Sequence, residues 1–117
     1  MDKVYLISRY RADNEEDLEF NKKVARYFCR QIIEEGNVPV APHLYYTQFL
    51  DEECPDDRAA GLYLGIRDLR ESKEYLLIVI DGVISQGMAG EIEEVGRLGM
   101  RGRIISMPRQ EAMELIK

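Results

Sequence analysis

The sequence predicts an α/β fold: a single domain, residues 1–117, on a doubly wound parallel sheet with strand order 2-1-3-4. Short β-favouring runs alternate with amphipathic helical stretches in the order β-α-β-α-β-α-β-α. The run at residues 75–80 is apolar on both faces, as a central parallel strand must be. A glycine-bearing turn and a helix start follow it, which is how open α/β sheets build ligand sites at strand carboxyl ends.

Val4-Tyr5-Leu6-Ile7 reads as the first strand, with residues 8–11 as the loop at its carboxyl end. Asp13 or Asn14 caps the next helix, whose first turn carries Glu15, Glu16 and Asp17. Leu18, Val24, Ala25, Phe28 and Ile32 form its apolar stripe, and Gly36 stops it. Residues 38–42 read as a short second strand whose prolines suit a sheet edge. Residues 43–50 are dense in aromatics and hold the only histidine, His43.

Five acids within residues 51–57 read as a solvated loop leading into a helix with the stripe Leu62, Ile66 and Leu69. The central strand at 75–80 and the turn Asp81-Gly82 come next. A helix then carries Met88, Ile92 and Val95 inward to about Leu98. Residues 103–106 are the fourth strand, and residues 110–116 a terminal helix after Pro108.

Composition narrows the function classes. Hydrophobic residues make up 45% of the 117, enough for a real core. The net charge of −6 lacks the positive field that nucleic-acid binding requires. Two cysteines without a CxxC, and one histidine, argue against a disulfide framework and a zinc site. No metal or cofactor is expected. The opening Met1-Asp2-Lys3 leads straight into a strand and the longest apolar run is far short of a membrane span, so the expected compartment is the cytoplasm, with no membrane partner.

Three loops should meet at the strand carboxyl ends: residues 8–11, 43–49 and 81–91. They bring Ser8, Arg9, Tyr10 and Arg11, then His43 and Tyr46, then Asp81, Ser85, Gly87 and Met88, all candidate substrate-binding residues. Aromatic faces stack on a base, hydroxyls and amides bind a sugar, and arginine pairs with a phosphate. Gly87 lets the backbone approach a ligand closely. Glu91, four residues after Gly87 in the first turn of the helix, sets a carboxylate beside that cleft, where an acid, base or nucleophile is useful. Glutamate there also simply complements the helix dipole.

Lys3-Val4-Tyr5-Leu6-Ile7-Ser8 with Tyr10, then Ala41-Pro42-His43-Leu44-Tyr45, then Ser85-Gln86-Gly87-Met88-Ala89-Gly90-Glu91-Ile92-Glu93 resemble the nucleoside 2-deoxyribosyltransferase-like superfamily. The nearest resemblance is to its small bacterial and phage group, related to the deoxynucleotide N-hydrolases. This implies a flavodoxin/Rossmann-like sheet and a nucleoside or nucleotide partner. It also implies a homo-oligomer and a glutamate nucleophile, carried onto Glu91, that attacks C1′ of the sugar. Tyr10 would contact the base and Arg11 a 5′-phosphate. The acid that assists the leaving base in those enzymes falls on Gly65, a departure, with Asp68 one helical turn further on as the candidate. Two functions stand open: cleavage or transfer of an N-glycosidic bond, and non-catalytic binding of a nucleotide-derived molecule as a sensor or sequestering protein.

Overall fold

In the computed structural model, which describes residues 1–117, four parallel strands lie in the order β2-β1-β3-β4. β1 (Lys3–Ile7) pairs with β2 (Val38–Val40) on one side and β3 (Glu74–Ile80) on the other. β4 (Arg101–Met107) closes the far edge against β3. The predicted order and direction of the strands are those observed.

Side chains of a strand alternate between faces, so an all-apolar strand needs cover on both. β3 shows this directly. Leu76 and Ile78 join Val4 and Leu6 under α1 (Glu15–Glu34) and α5 (Arg109–Leu115). Leu77 and Val79 join Tyr5 and Ile7 under α3 (Pro55–Arg70) and α4 (Gln86–Leu98). The sheet is therefore doubly wound.

Local chemistry sets the helix ends. The Asn14 side chain accepts the Asp17 N–H at 2.8 Å, capping α1. Its stripe Phe20, Val24, Ala25, Phe28 and Ile32 is buried. Past the α1 C-cap at Glu35, Gly36 takes φ +87°, a left-handed conformation that suits glycine. Ser85 caps α4 through its hydroxyl, which accepts the Met88 N–H at 3.2 Å, and Gly99 ends that helix at φ +65°.

The second strand is shorter than predicted. Residues 38–42 were expected to be extended, but β2 ends at Val40 and Pro42 opens a one-turn helix, α2 (Pro42–Tyr45). Proline at a first helical position loses nothing, because its missing N–H would have had no partner there. A 3-10 turn, Tyr46–Gln48, follows, so the aromatic segment is helical rather than looped. Thr47 and Gln48 side chains donate back to the carbonyls of His43 and Leu44, at 2.6 and 3.0 Å.

The α3 stripe also departs from expectation. Leu69 is fully buried, but Leu62 is 52% exposed. The amino-terminal half of α3 borders an open cavity instead of packing on the sheet; Gly61, Leu62, Gly65 and Ile66 all face it. β4 begins two residues earlier than predicted, and its glycine is load-dependent on its neighbour: Gly102 lies opposite Tyr75, whose ring covers it so closely that a Cβ at 102 would overlap ring carbons.

Gly102→Ala is expected to lower stability by about 1–3 kcal/mol, the usual range for overpacking. Urea unfolding of the single and double variants checks it: Tyr75→Ala in the same chain should recover much of the loss. Equal losses with and without the Tyr75 ring would show that the overlap is not the cause.

Candidate active site

Because all four strands run the same way, their carboxyl ends share one side of the sheet. β1 sends the chain outward to β2 and then back past itself to β3, so a crevice opens between the loops that leave β1 and β3. A cavity of about 670 Å³ occupies it. Its walls come from the loop after β1, from α2 with the turn behind it, from α3, and from the start of α4.

The first wall holds Ser8, Arg9, Tyr10 and Arg11. The Asn21 side chain, buried on α1, donates to the Tyr10 carbonyl at 3.0 Å and so ties this loop to the helix. The Tyr10 ring lies flat against His43, with centroids 5.2 Å apart and planes 13° from parallel. Burial pushes the His43 imidazole below its ordinary range; Glu52 works against that and Arg58 with it. His43 is thus a neutral partner in the stack at pH 7.

Glu91 sits on the opposite wall and is only 8% exposed; because α4 starts at Gln86, it falls in the second turn and not in the expected first one. The buried Tyr5 hydroxyl, rising from β1, donates a hydrogen bond to its Oε2. The other oxygen, Oε1, is buried without any hydrogen-bond partner. Burial raises the carboxyl from the ordinary 4.5 to about 7, and the Tyr5 bond only partly opposes this. Burial and the Glu91 charge together push the Tyr5 phenol far above its ordinary range, so Tyr5 keeps its proton.

Ser85, Gly87 and Met88 line the cavity at the start of α4, and Tyr46 lines it from the α2 side. Asp68 does not reach the wall. Its Oδ2 accepts the Tyr46 hydroxyl proton at 2.8 Å, so it stands behind Tyr46. Asp81 also lies outside the large cavity. It borders a smaller one of about 70 Å³ that shares Ser8, Arg9 and Met88. Its Oδ1 accepts the Arg109 backbone N–H at 2.8 Å, and it is the one non-glycine residue at positive φ, +55°. An aspartate that tolerates this conformation and caps the start of α5 has a structural task there.

The residues that the loops were expected to bring together therefore do meet, apart from Asp68 and Asp81. The sequence reading passed over three that meet them. Tyr5 looked like an ordinary strand aromatic; the missed signal is that a buried tyrosine hydroxyl must find a polar partner. Arg58 and Glu52, paired at 3.5 Å across the cavity rim, were hidden in the acidic run. The position next to Tyr5 on α3 is Gly65, where a Cβ would lie 3.7 Å from the Tyr5 hydroxyl. No group of three or more His, Cys, Asp or Glu side chains is placed to hold a metal ion, and no helix is long and apolar enough to cross a membrane.

Residues 2–105 match the family model described as a domain of unknown function, DUF7768. The chain belongs to the DUF7768 family. No curated protein matches this DUF7768 chain in sequence. Among solved structures it is similar to a 2-deoxyribosyltransferase from the psychrotolerant bacterium Bacillus psychrosaccharolyticus. The TM-score is 0.68 at 19% identity, over 89% of this chain and 72% of that one. The DUF7768 chain thus has a nucleoside 2-deoxyribosyltransferase-like fold.

The Glu91 environment makes a testable statement about stability. Its carboxyl holds a proton more tightly folded than unfolded, so the folded state loses ground as pH rises from about 4.5 to about 7, and the loss is constant above that. Glu91→Gln cannot titrate. Above pH 7 it is expected to be more stable than the parent by roughly 3 kcal/mol, a difference that vanishes toward pH 4.5. Urea midpoints measured from pH 5 to pH 8 check this, and parallel curves for the two proteins would contradict it.

Proposed function

We propose that the cavity binds a nucleoside or nucleotide, and that the Glu91 carboxylate attacks the anomeric carbon to cleave or transfer the N-glycosidic bond. One observation carries the reading: Glu91 Oε2 is held by Tyr5 while Oε1 is buried, unpartnered, in the wall of a large cavity. A buried carboxylate oxygen without a partner is costly, and such groups cluster where chemistry needs them. A nucleophilic carboxylate is aimed by one held oxygen, and a carboxylate left short of hydrogen bonds keeps its lone pairs available. The resulting glycosyl ester is resolved by water, or by a second base in a transfer.

The other walls suit the rest of such a ligand. The Tyr10–His43 stack offers an aromatic edge and face for a base. Ser8, Ser85 and the backbone at Gly87 suit sugar hydroxyls, and Arg9 and Arg11, with Arg58, suit a phosphate. The solved structure with this fold is, by its printed title, a 2-deoxyribosyltransferase. The second reading, non-catalytic binding, draws on Gly65 beside Tyr5 and on Asp68 behind Tyr46, which leave the base without an adjacent acid.

Incubation with deoxynucleosides and their 5′-monophosphates, with free base measured by chromatography, separates the two. The expected outcome is base release that Glu91→Ala lowers by at least ~10²-fold. The rate should climb as pH rises through about 7, because only the ionised carboxylate attacks. Binding without release in any condition would leave the sensor reading in place.

Monophosphates are expected to bind one to two decades more tightly than nucleosides, the roughly 1.5–3 kcal/mol of a charge-assisted contact. Calorimetry on both, with Arg9→Ala and Arg11→Ala, tests this; equal affinities would remove the phosphate subsite.

The same reading expects self-association. Phe49 and Tyr63 are each 64% exposed, and Tyr45 and Leu62 are exposed as well, an apolar cluster that a second copy would cover. Light scattering at micromolar concentration should give at least a dimer, and a monomer mass would count against it.

A further inference from the structure

A nucleophile at C1′ solves half of a glycosidic cleavage. The departing base must also accept the electrons of the broken bond, and a neutral purine or pyrimidine does that well only if a proton reaches it. The cavity wall is poor in protons to give. The Tyr5 proton is committed to Glu91, and the Tyr46 proton to Asp68 at 2.8 Å. Losing either would set a phenolate against a carboxylate, and both phenols are raised accordingly. His43 is held neutral, and Tyr10, stacked on it, offers a phenol hydroxyl and not a carboxylic acid. Gly65, the α3 residue beside the Tyr5 hydroxyl, has no side chain to offer.

The charges on the wall carry a second message. A neutral base with a phosphate calls only for cations. This cavity has Arg9 and Arg11, and Arg58 paired with Glu52, but it also has Asp13 and Glu91, together with a stacked aromatic pair. Carboxylates and aromatic faces both attract a cationic ring. The lining as a whole matches a ligand that is anionic at its phosphate and cationic at its base.

Building on the reading of Glu91 as nucleophile, we infer that the substrate is an N-glycoside whose leaving base is already positively charged, as in a pyridinium nucleotide or an N7-alkylated purine nucleotide. The C1′–N bond breaks and its electron pair stays on the ring nitrogen. The cationic ring thereby becomes a neutral free base, with no proton required. The Glu91 carboxylate forms the ester bond to C1′. Water then supplies a hydroxyl to C1′, the ester bond returns its electrons to Glu91, and one proton goes to solvent. Cationic nucleotide plus water thus gives neutral base, sugar phosphate and one proton.

The test uses the 117-residue chain and matched ligands. Nicotinamide mononucleotide stands for the pyridinium class. 7-Methyl-deoxyguanosine monophosphate stands for the alkylated purines, and it differs from deoxyguanosine monophosphate only in the methyl that puts a charge on the base. Free base is measured by chromatography against blanks without protein, for the parent and for Glu91→Gln. The expected result is release of nicotinamide or 7-methylguanine at least ~10²-fold faster than guanine, lost in Glu91→Gln; which of the two is released identifies the class. Guanine released within tenfold of both cationic bases would overturn the inference and leave the glycosidic reading intact. Binding of these ligands by calorimetry with no base released from any of them would overturn both, as would the absence of binding and release alike.

Discussion

Everything at the cavity depends on the parallel pairing of β1 with β3. Tyr5 lies opposite Tyr75 and Ile7 opposite Leu77, in a ladder buried on both faces. That pairing fixes the direction of the sheet, so the loops after β1, β2 and β3 emerge on one side. It also places Tyr5, a residue in mid-strand, beneath the first turns of α4. A hydroxyl anchored in a buried central strand then holds Glu91. Sites mounted on strands and helices hold their geometry better than sites mounted on loops.

The Glu91 environment works against the stability of the fold. A carboxylate with one unpartnered oxygen in a buried wall favours its neutral form, which is why its proton affinity rises to about 7. The two sheet-face clusters carry this cost. Met88 and Val95, on the same buried side of α4 as Glu91, pack under the sheet and leave the carboxylate little freedom to turn toward solvent. Core packing and the raised carboxyl thus share one helix face, Met88 three residues before Glu91 and Val95 four after it.

Much of this was legible in the sequence, for identifiable reasons. The strand order followed from the alternation of elements and from a β3 apolar on both faces. The cavity loops were legible because the turn after β3 leads directly into a capped helix, with Ser85 as cap and Glu91 in its early turns. Less legible was anything depending on a side chain's distant partner. Tyr5 in a run of aliphatics looks like any strand residue until Glu91, 86 positions away, is seen against it. Asp68 lies on the expected helix, but Tyr46 takes its carboxylate. Asp81 occupies the expected loop, yet the start of α5 takes its side chain. Pro42 fits a strand end or a first helical position equally well by sequence, and only the packing decides.

The same ladder has a consequence for how the chain comes to be folded. Val4 pairs with Pro39 on one side and with Glu74 on the other. The strand β1, central in the finished sheet, is thus synthesised before β3 and must wait for it. At translation rates of about 5–20 residues per second, that wait is on the order of ten seconds. During it, the stripe of α1 that runs from Phe20 to Ile32 has only β1 and the three-residue β2 to lie against. The nascent chain therefore passes through a stage with an uncovered apolar helix and a bare strand edge, the form most open to chaperones, proteases and other unfinished chains. Release from that stage comes with residues 74–80, which pair with β1 and bring the second neighbour of that strand.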